Sequence, residues 1–255
     1  MPDALLLAQL NAVTGREGEF GTWYTNVHLR DVLRMDGSVA AQRFERVTVR
    51  VEGIRHSRFG YLTVYDVTDP EAVSAGHADA AGTAQLVMSG AADLSDVAVH
   101  YYYPHLTILG DGDLASAGAA VLAEFEDASP QGVRSTVQAA WDLTRALTRA
   151  ELVRGVVATY RAEAQMFRRP PAAKAVVLLV STTDPLEVIA TLARCSLPSR
   201  TPTRLTVYSP ASARITKESV LLSGATDLEV RTRALAAAGP PTGWGGPRGA
   251  RHRGA

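Results

Sequence analysis

GSVAAQRFE, residues 37–45, returns later in the chain as GVVATYRAE, residues 155–163, with glycine, valine, alanine, arginine and glutamate in one register. The flanks decide whether so short a match has meaning. Trp23 stands fourteen residues before Gly37, and Trp141 stands fourteen before Gly155. Downstream, TDPEAV (68–73) returns as TDPLEV (183–188), and YYP (102–104) as YSP (208–210). Landmarks in one order, with slips only between predicted elements where insertions are tolerated, indicate a duplicated unit.

Outward from the first landmark, LLLAQL from Leu5 reads as a strand and Asn11 to Gly18 as a turn. A helix follows and ends at Gly37. SVAAQRFERVTVRV from Ser38 and FGYLTVYDV from Phe59 read as a strand pair. Asp69 can cap a second helix with Pro70 in its first position, running to about His77, and Val97 to Pro104 closes the unit as a fourth strand. The second copy reads alike: strand Ala119 to Phe125, helix Val133 to Arg154, strands Val156 to Glu163 and Lys174 to Val180, a helix from Asp184 and a strand from Leu205.

Strand, helix, strand, strand, helix, strand is the split order of ferredoxin-like folds, an α+β class. One such unit covers a single face of its sheet with helices and leaves the other apolar. The second copy can cover that face, so two tandem βαββαβ repeats are expected to pack as a barrel-like intrachain pseudo-dimer, able to stay monomeric. The expected divisions are repeat 1 over 1–106, a linker over 107–118 with its turn at Gly110 to Gly112, a degenerate repeat 2 over 119–210, an extension over 211–238 and a disordered Gly/Pro/Arg-rich tail over 239–255.

Of the residues, 46% are hydrophobic and the formal charges cancel, so neither general disorder nor a field that gathers nucleic acid is expected. Cys195 is the single cysteine, which excludes an internal disulfide and a thiolate metal cluster. No basic leader precedes a long apolar run, and no stretch of about 18 apolar residues could span a bilayer. A cytoplasmic protein without membrane or nucleic-acid partners is expected.

Candidate chemistry concentrates in WYTNVHLRDVL, residues 23–33. At about 100° per residue, Tyr24, His28 and Asp31 fall within about 60° of one another, beside Phe20 and Val27. A carboxylate beside an imidazole fixes its tautomer and raises its pKa, which suits a general base or acid, with Tyr24 donating to a substrate oxygen. The same triplet also describes an ordinary, well-satisfied helix face. In the second copy these positions hold Asp142, Ala146 and Arg149, so only one half can carry the set. His100 and Tyr102 share one face of their strand and Tyr101 and Tyr103 the other. If the first pair faces the helices, His100 and Tyr102 join the site, with Phe20, Trp23 and Phe44 as its apolar wall. No spacing suggests a metal site, and no nucleotide loop or nucleophile elbow is present, so no cofactor is expected.

GREGEFGTWYTNVHLRDVLRMDGSVAAQRFE, within Leu5 to Phe44 and onward to Pro104, resembles the first half of EthD-like proteins of the dimeric α/β-barrel superfamily. There a GRE-type turn precedes a helix bearing WY, three residues and then His. The resemblance implies roles for Trp23, Tyr24 and His28; Arg30 stands where relatives often have proline, altering the rim. It also implies a function class: a cofactor-independent lyase or isomerase, of cyclase or dehydratase type, on a hydrophobic oxygenated small molecule such as an aromatic polyketide. Alternatives from other classes are a non-catalytic small-molecule-binding or assembly module and a cofactor-free monooxygenase; a haem-degrading role is also compatible with the fold.

Overall fold

Leu5, Leu6 and Leu7 stand consecutively in one strand and all are buried, which a strand achieves only when both of its faces are covered. The structure, a computed structural model, describes residues 3–49, 55–108, 117–125, 157–165, 175–181, 184–194, 203–223, 229, 232, 233 and 236. The expected helix Val133 to Arg154, the linker turn, Cys195 and the tail lie outside these residues.

Strand β1 (Ala4–Ala12) leads into α1 (Glu17–Trp23), a π-helical turn (Tyr24–His28) and α2 (Leu29–Arg34), which form one continuous first helix. Then come β2 (Ser38–Arg46), β3 (Tyr61–Val67), α3 (Pro70–Ala80) and β4 (Ala92–Ile108). The second half supplies β5 (Ala119–Phe125), β6 (Val157–Gln165), β7 (Ala175–Ser181), α4 (Pro185–Arg194) and β8 (Arg204–Pro210), followed by β9 (Ile215–Thr216) and α5 (Lys217–Leu222).

Local chemistry explains the punctuation. Asp69 accepts a hydrogen bond from the Ala72 amide at 2.9 Å, with Pro70 opening α3 as the sequence predicts. Gly37 has φ +82°, and a Cβ there would lie 2.3 Å from the Asp69 carbonyl oxygen, so the helix exit and the α3 entry touch at a glycine. Two expected lengths are corrected. The strand after Gly37 stops at Arg46 instead of running to Val51, and β4 extends at both ends beyond Val97 to Pro104, reaching Ile108 inside the expected linker.

The pairings are antiparallel and run β3-β1-β4-β6-β7-β5-β8-β2-β9, and β2 also pairs with β3. In the first half the order is β2-β3-β1-β4 and in the second β6-β7-β5-β8. β4 pairs with β6, and β8 with β2, so the eight strands form a ring of ladders. One core lies between the strands and the first helix with α3: Leu6, Leu10, Tyr61, Tyr65 and Tyr101 meet Phe20, Trp23, Val27, Leu33 and Val73. A second lies on the opposite face, where Leu5, Leu7, Phe44, Leu62, Val64 and Tyr102 meet Ala117, Ala120, Leu122 and Tyr208 of the second half. Among the described residues no helix is long and apolar enough to cross a membrane.

Candidate functional site

The first helix does not keep the α-helical period through its polar stretch. The Leu29 amide donates to the Tyr24 carbonyl five residues back, and π-turns of this kind are frequent at functional sites. On an ideal α-helix, residues five apart would diverge by about 140°. The wider turn brings Trp23 under His28, with ring centroids 5.0 Å apart, while Tyr24 meets the same imidazole edge-on at 4.8 Å. His77 of α3 approaches from the facing helix, 6.5 Å between ring centroids. The Trp23 indole N–H donates to the Val87 carbonyl at 2.9 Å, and Phe20 packs on Tyr61 at 4.6 Å.

From the sheet below, Tyr65 donates its hydroxyl to that of Tyr24 at 3.4 Å. Arg43 of β2 places its guanidinium over Phe20, Tyr24 and Tyr61, at 5.3, 5.0 and 5.7 Å from their centroids. Its Nη1 donates to the Gly21 carbonyl at 2.9 Å and the Thr25 hydroxyl at 2.5 Å. Among the described residues, Arg43 Nε and His28 Nδ1 have no hydrogen-bond partner, although both residues are buried. The cluster is closed over by aromatic rings: Trp23 is fully buried and Tyr24 is 2% exposed.

Electrostatics follow from that burial. His28 is held down at about 3 by burial first, then by His77 and Arg43, and His77 is held at about 4 by burial. Both are neutral imidazoles at neutral pH. Burial raises the Tyr24 and Tyr65 hydroxyls above the ordinary phenol range and lowers Arg43.

The predicted residues divide into two groups. Phe20, Tyr24 and His28 come together as expected from their shared arc, and Trp23, expected as part of the apolar wall, reaches His28 through the π-turn. Asp31 is buried on the same helix, but its carboxylate accepts from Arg34 at 3.0 Å, and among the described residues the groups that act on His28 are His77 and Arg43, not a carboxylate. The expected rise in the His28 pKa is therefore replaced by a fall. His100, Tyr102 and Phe44 are not part of this wall. Tyr101 packs on the helix side, whereas Tyr102 and Phe44 belong to the core on the opposite face, and His100 lies 6.0 Å from the Tyr102 ring on that face.

That opposite face carries its own polar group. Gln9 donates to Ser57 at 3.2 Å and to Tyr208 at 3.5 Å, and Thr206 Oγ1 accepts from the Ser57 amide at 2.7 Å. Among the described residues, no group of three or more His, Cys, Asp or Glu could hold a metal ion. Arg43, Tyr65 and His77 are site residues that the sequence reading passed over. Arg43 had a signal, since it is the arginine shared by GSVAAQRFE and GVVATYRAE; His77 read only as a residue near a helix C-terminus.

No protein-family model matches the chain, and no curated protein matches it in sequence. Solved structures do match in fold. An anthrone oxidase-like protein aligns with TM-score 0.57 at 11% identity, over 84% of this chain and 92% of its own. A "putative monooxygenase" from Lactobacillus acidophilus NCFM aligns with TM-score 0.50 at 7% identity, over 85% of this chain and 97% of its own. At these identities the alignments show a shared α+β fold.

Proposed function

We propose that the chain is a tandem-repeat, EthD-like member of the dimeric α/β-barrel superfamily, and that the cluster around His28 is a cofactor-independent acid/base site for a hydrophobic oxygenated small molecule. The two-copy reading is supported by the matching strand orders β2-β3-β1-β4 and β6-β7-β5-β8, and by structural alignments that extend over more than one half of the chain. The observation that carries the chemical reading is His28: a buried neutral imidazole whose Nδ1 has no hydrogen-bond partner among the described residues, caged by Trp23, Tyr24 and His77. A buried polar atom without a partner costs about 1–3 kcal/mol, and a ligand that meets it recovers that cost.

In this reading His28 takes a proton from carbon next to a carbonyl and Tyr24 donates to the carbonyl oxygen. A base at about 3 in the closed site becomes a stronger one as negative charge forms beside it. Entry requires the rings of Phe20, Trp23 and Tyr24 to part. Two fates of the carbanion follow from two classes of enzyme. In a lyase or isomerase it eliminates or is reprotonated elsewhere. In a cofactor-free oxygenase it meets O2, so that a CH2 group and O2 give a ketone and water. The names of the structural neighbours favour the second fate.

The test is exchange of the CH2 protons of anthrone and related aryl ketones in D2O, followed by NMR. Wild-type protein is expected to catalyse exchange, and His28→Gln to lose it by about a hundredfold or more. Exchange no faster than in buffer overturns the reading and leaves a binding module. Oxygen uptake then separates the two fates.

A further inference from the structure

Arg43 presents a cation with an unanswered demand. It is 2% exposed, yet among the described residues its hydrogen bonds go to a carbonyl and a hydroxyl, not to a carboxylate. Among the described residues the only carboxylate that acts on it is that of Glu45, more weakly than the three tyrosines Tyr24, Tyr61 and Tyr65. Buried charges are normally paired, because the loss of hydration is otherwise uncompensated. The faces of Phe20, Tyr24 and Tyr61 compensate part of that loss, each through its ring quadrupole. Its Nε–H remains without an acceptor among the described residues.

The strand holds this residue in place from its other edge. The Arg43 amide donates to the Ser212 hydroxyl at 3.1 Å and the Arg43 carbonyl accepts from the Ala211 amide at 2.9 Å. With backbone and Nη1 both fixed, the guanidinium cannot swing out to solvent without breaking those bonds. It faces Tyr24, the same ring that meets His28. A fixed donor with a positive charge, beside a neutral imidazole inside an aromatic cage, is built for an oxygen that carries negative charge.

We propose that Arg43 is the receptor for an anionic ligand oxygen, so that the site selects ionised phenols and enolates over neutral molecules of the same shape. This rests on the reading of the cluster as a ligand site and specifies the charge state of what it takes.

The probe is 4-nitrophenol, which ionises near neutral pH and is yellow only as the phenolate, with 4-nitroanisole as its neutral twin. Bound 4-nitrophenol is expected to stay ionised to lower pH, with at least about a tenfold preference for the phenolate, and 4-nitroanisole to bind at least about tenfold more weakly. Arg43→Gln is expected to abolish the preference, while Arg43→Lys keeps part of it as a point charge without the fork; circular dichroism checks that each variant is folded. Equal affinity for the two probes, phenol held in its neutral form, the preference surviving in Arg43→Gln, or no binding of 4-nitrophenol overturns the proposal. Because the wild-type comparison of the two probes needs no variant, it stands even if Arg43→Gln does not fold. Phenolate selection without proton exchange would defeat the catalytic reading alone; exchange without phenolate selection would defeat this one alone.

Discussion

At the scale of single residues, the two helix-borne histidines tie the site to stability. His28 faces His77 from α3 and Arg43 from β2, while Asp31 on its own helix is engaged with Arg34. Both imidazoles sit below the ordinary value of 6.5, at about 3 and about 4. The unfolded chain therefore binds protons first as pH falls. Their contribution is complete above pH 6.5 and declines as pH drops through 6.5; it levels off only below about 4 for His77 and about 3 for His28. Each histidine contributes a slope of about 1.4 kcal/mol per pH unit within its window. Urea unfolding at pH 7, 6 and 5 is expected to show the loss in wild-type protein, and His77→Gln to remove about one proton's share of the slope. An unchanged slope in that variant would mean that His77 is hydrated in solution.

At the scale of elements, the parts that were legible are those with strong local chemistry. Asp69 and Pro70 announced α3, and Gly37 announced the end of the first helix, because a cap, a fixed φ and a left-handed residue act within a few positions. The Gly37 contact with Asp69 makes a sharp case. Gly37→Ala sets a Cβ 2.3 Å from the Asp69 carbonyl at φ +82°, so a loss of about 2 kcal/mol or more is expected in denaturant unfolding. A loss below about 0.5 kcal/mol would show that the two loops separate freely. The π-turn was not legible, since pattern reading assumes one fixed angle per residue; it is what carried Trp23, not Asp31, to His28. The face of β4 was not legible either. VAVHYYYP belongs to a strand covered on both sides, so apolarity alternates too weakly to say that Tyr101 meets the helices and that His100 and Tyr102 do not.

At the scale of the molecule, the ring has one long seam and one short one. β4 pairs with β6 from His100 to Ile108, whereas β8 meets β2 only over Phe44 to Arg46. The chain after Pro210 strengthens the short seam: Ser212 bonds Gln42 and Arg43, β9 pairs with Ala40 and Ala41, and Arg214 forms a partly buried ion pair with Asp66 of β3. Lys217 donates to the Met35 carbonyl at 2.9 Å, and Val220 joins the helix-side core. The extension expected over 211–238 thus supplies both a strand and a helix, and it bonds the strand that carries Arg43. Each half offers ladder edges at β2 with β4 and at β6 with β8, and the other half occupies them within the same chain. A chain that satisfies its own edges has no need of a second copy. Sedimentation is expected to give a folded monomer, with an unfolding midpoint that does not move with protein concentration. An obligate dimer with a concentration-dependent midpoint would instead mean that the halves pair between chains, and that the short β2–β8 seam, with Arg43 beside it, is formed between chains in solution.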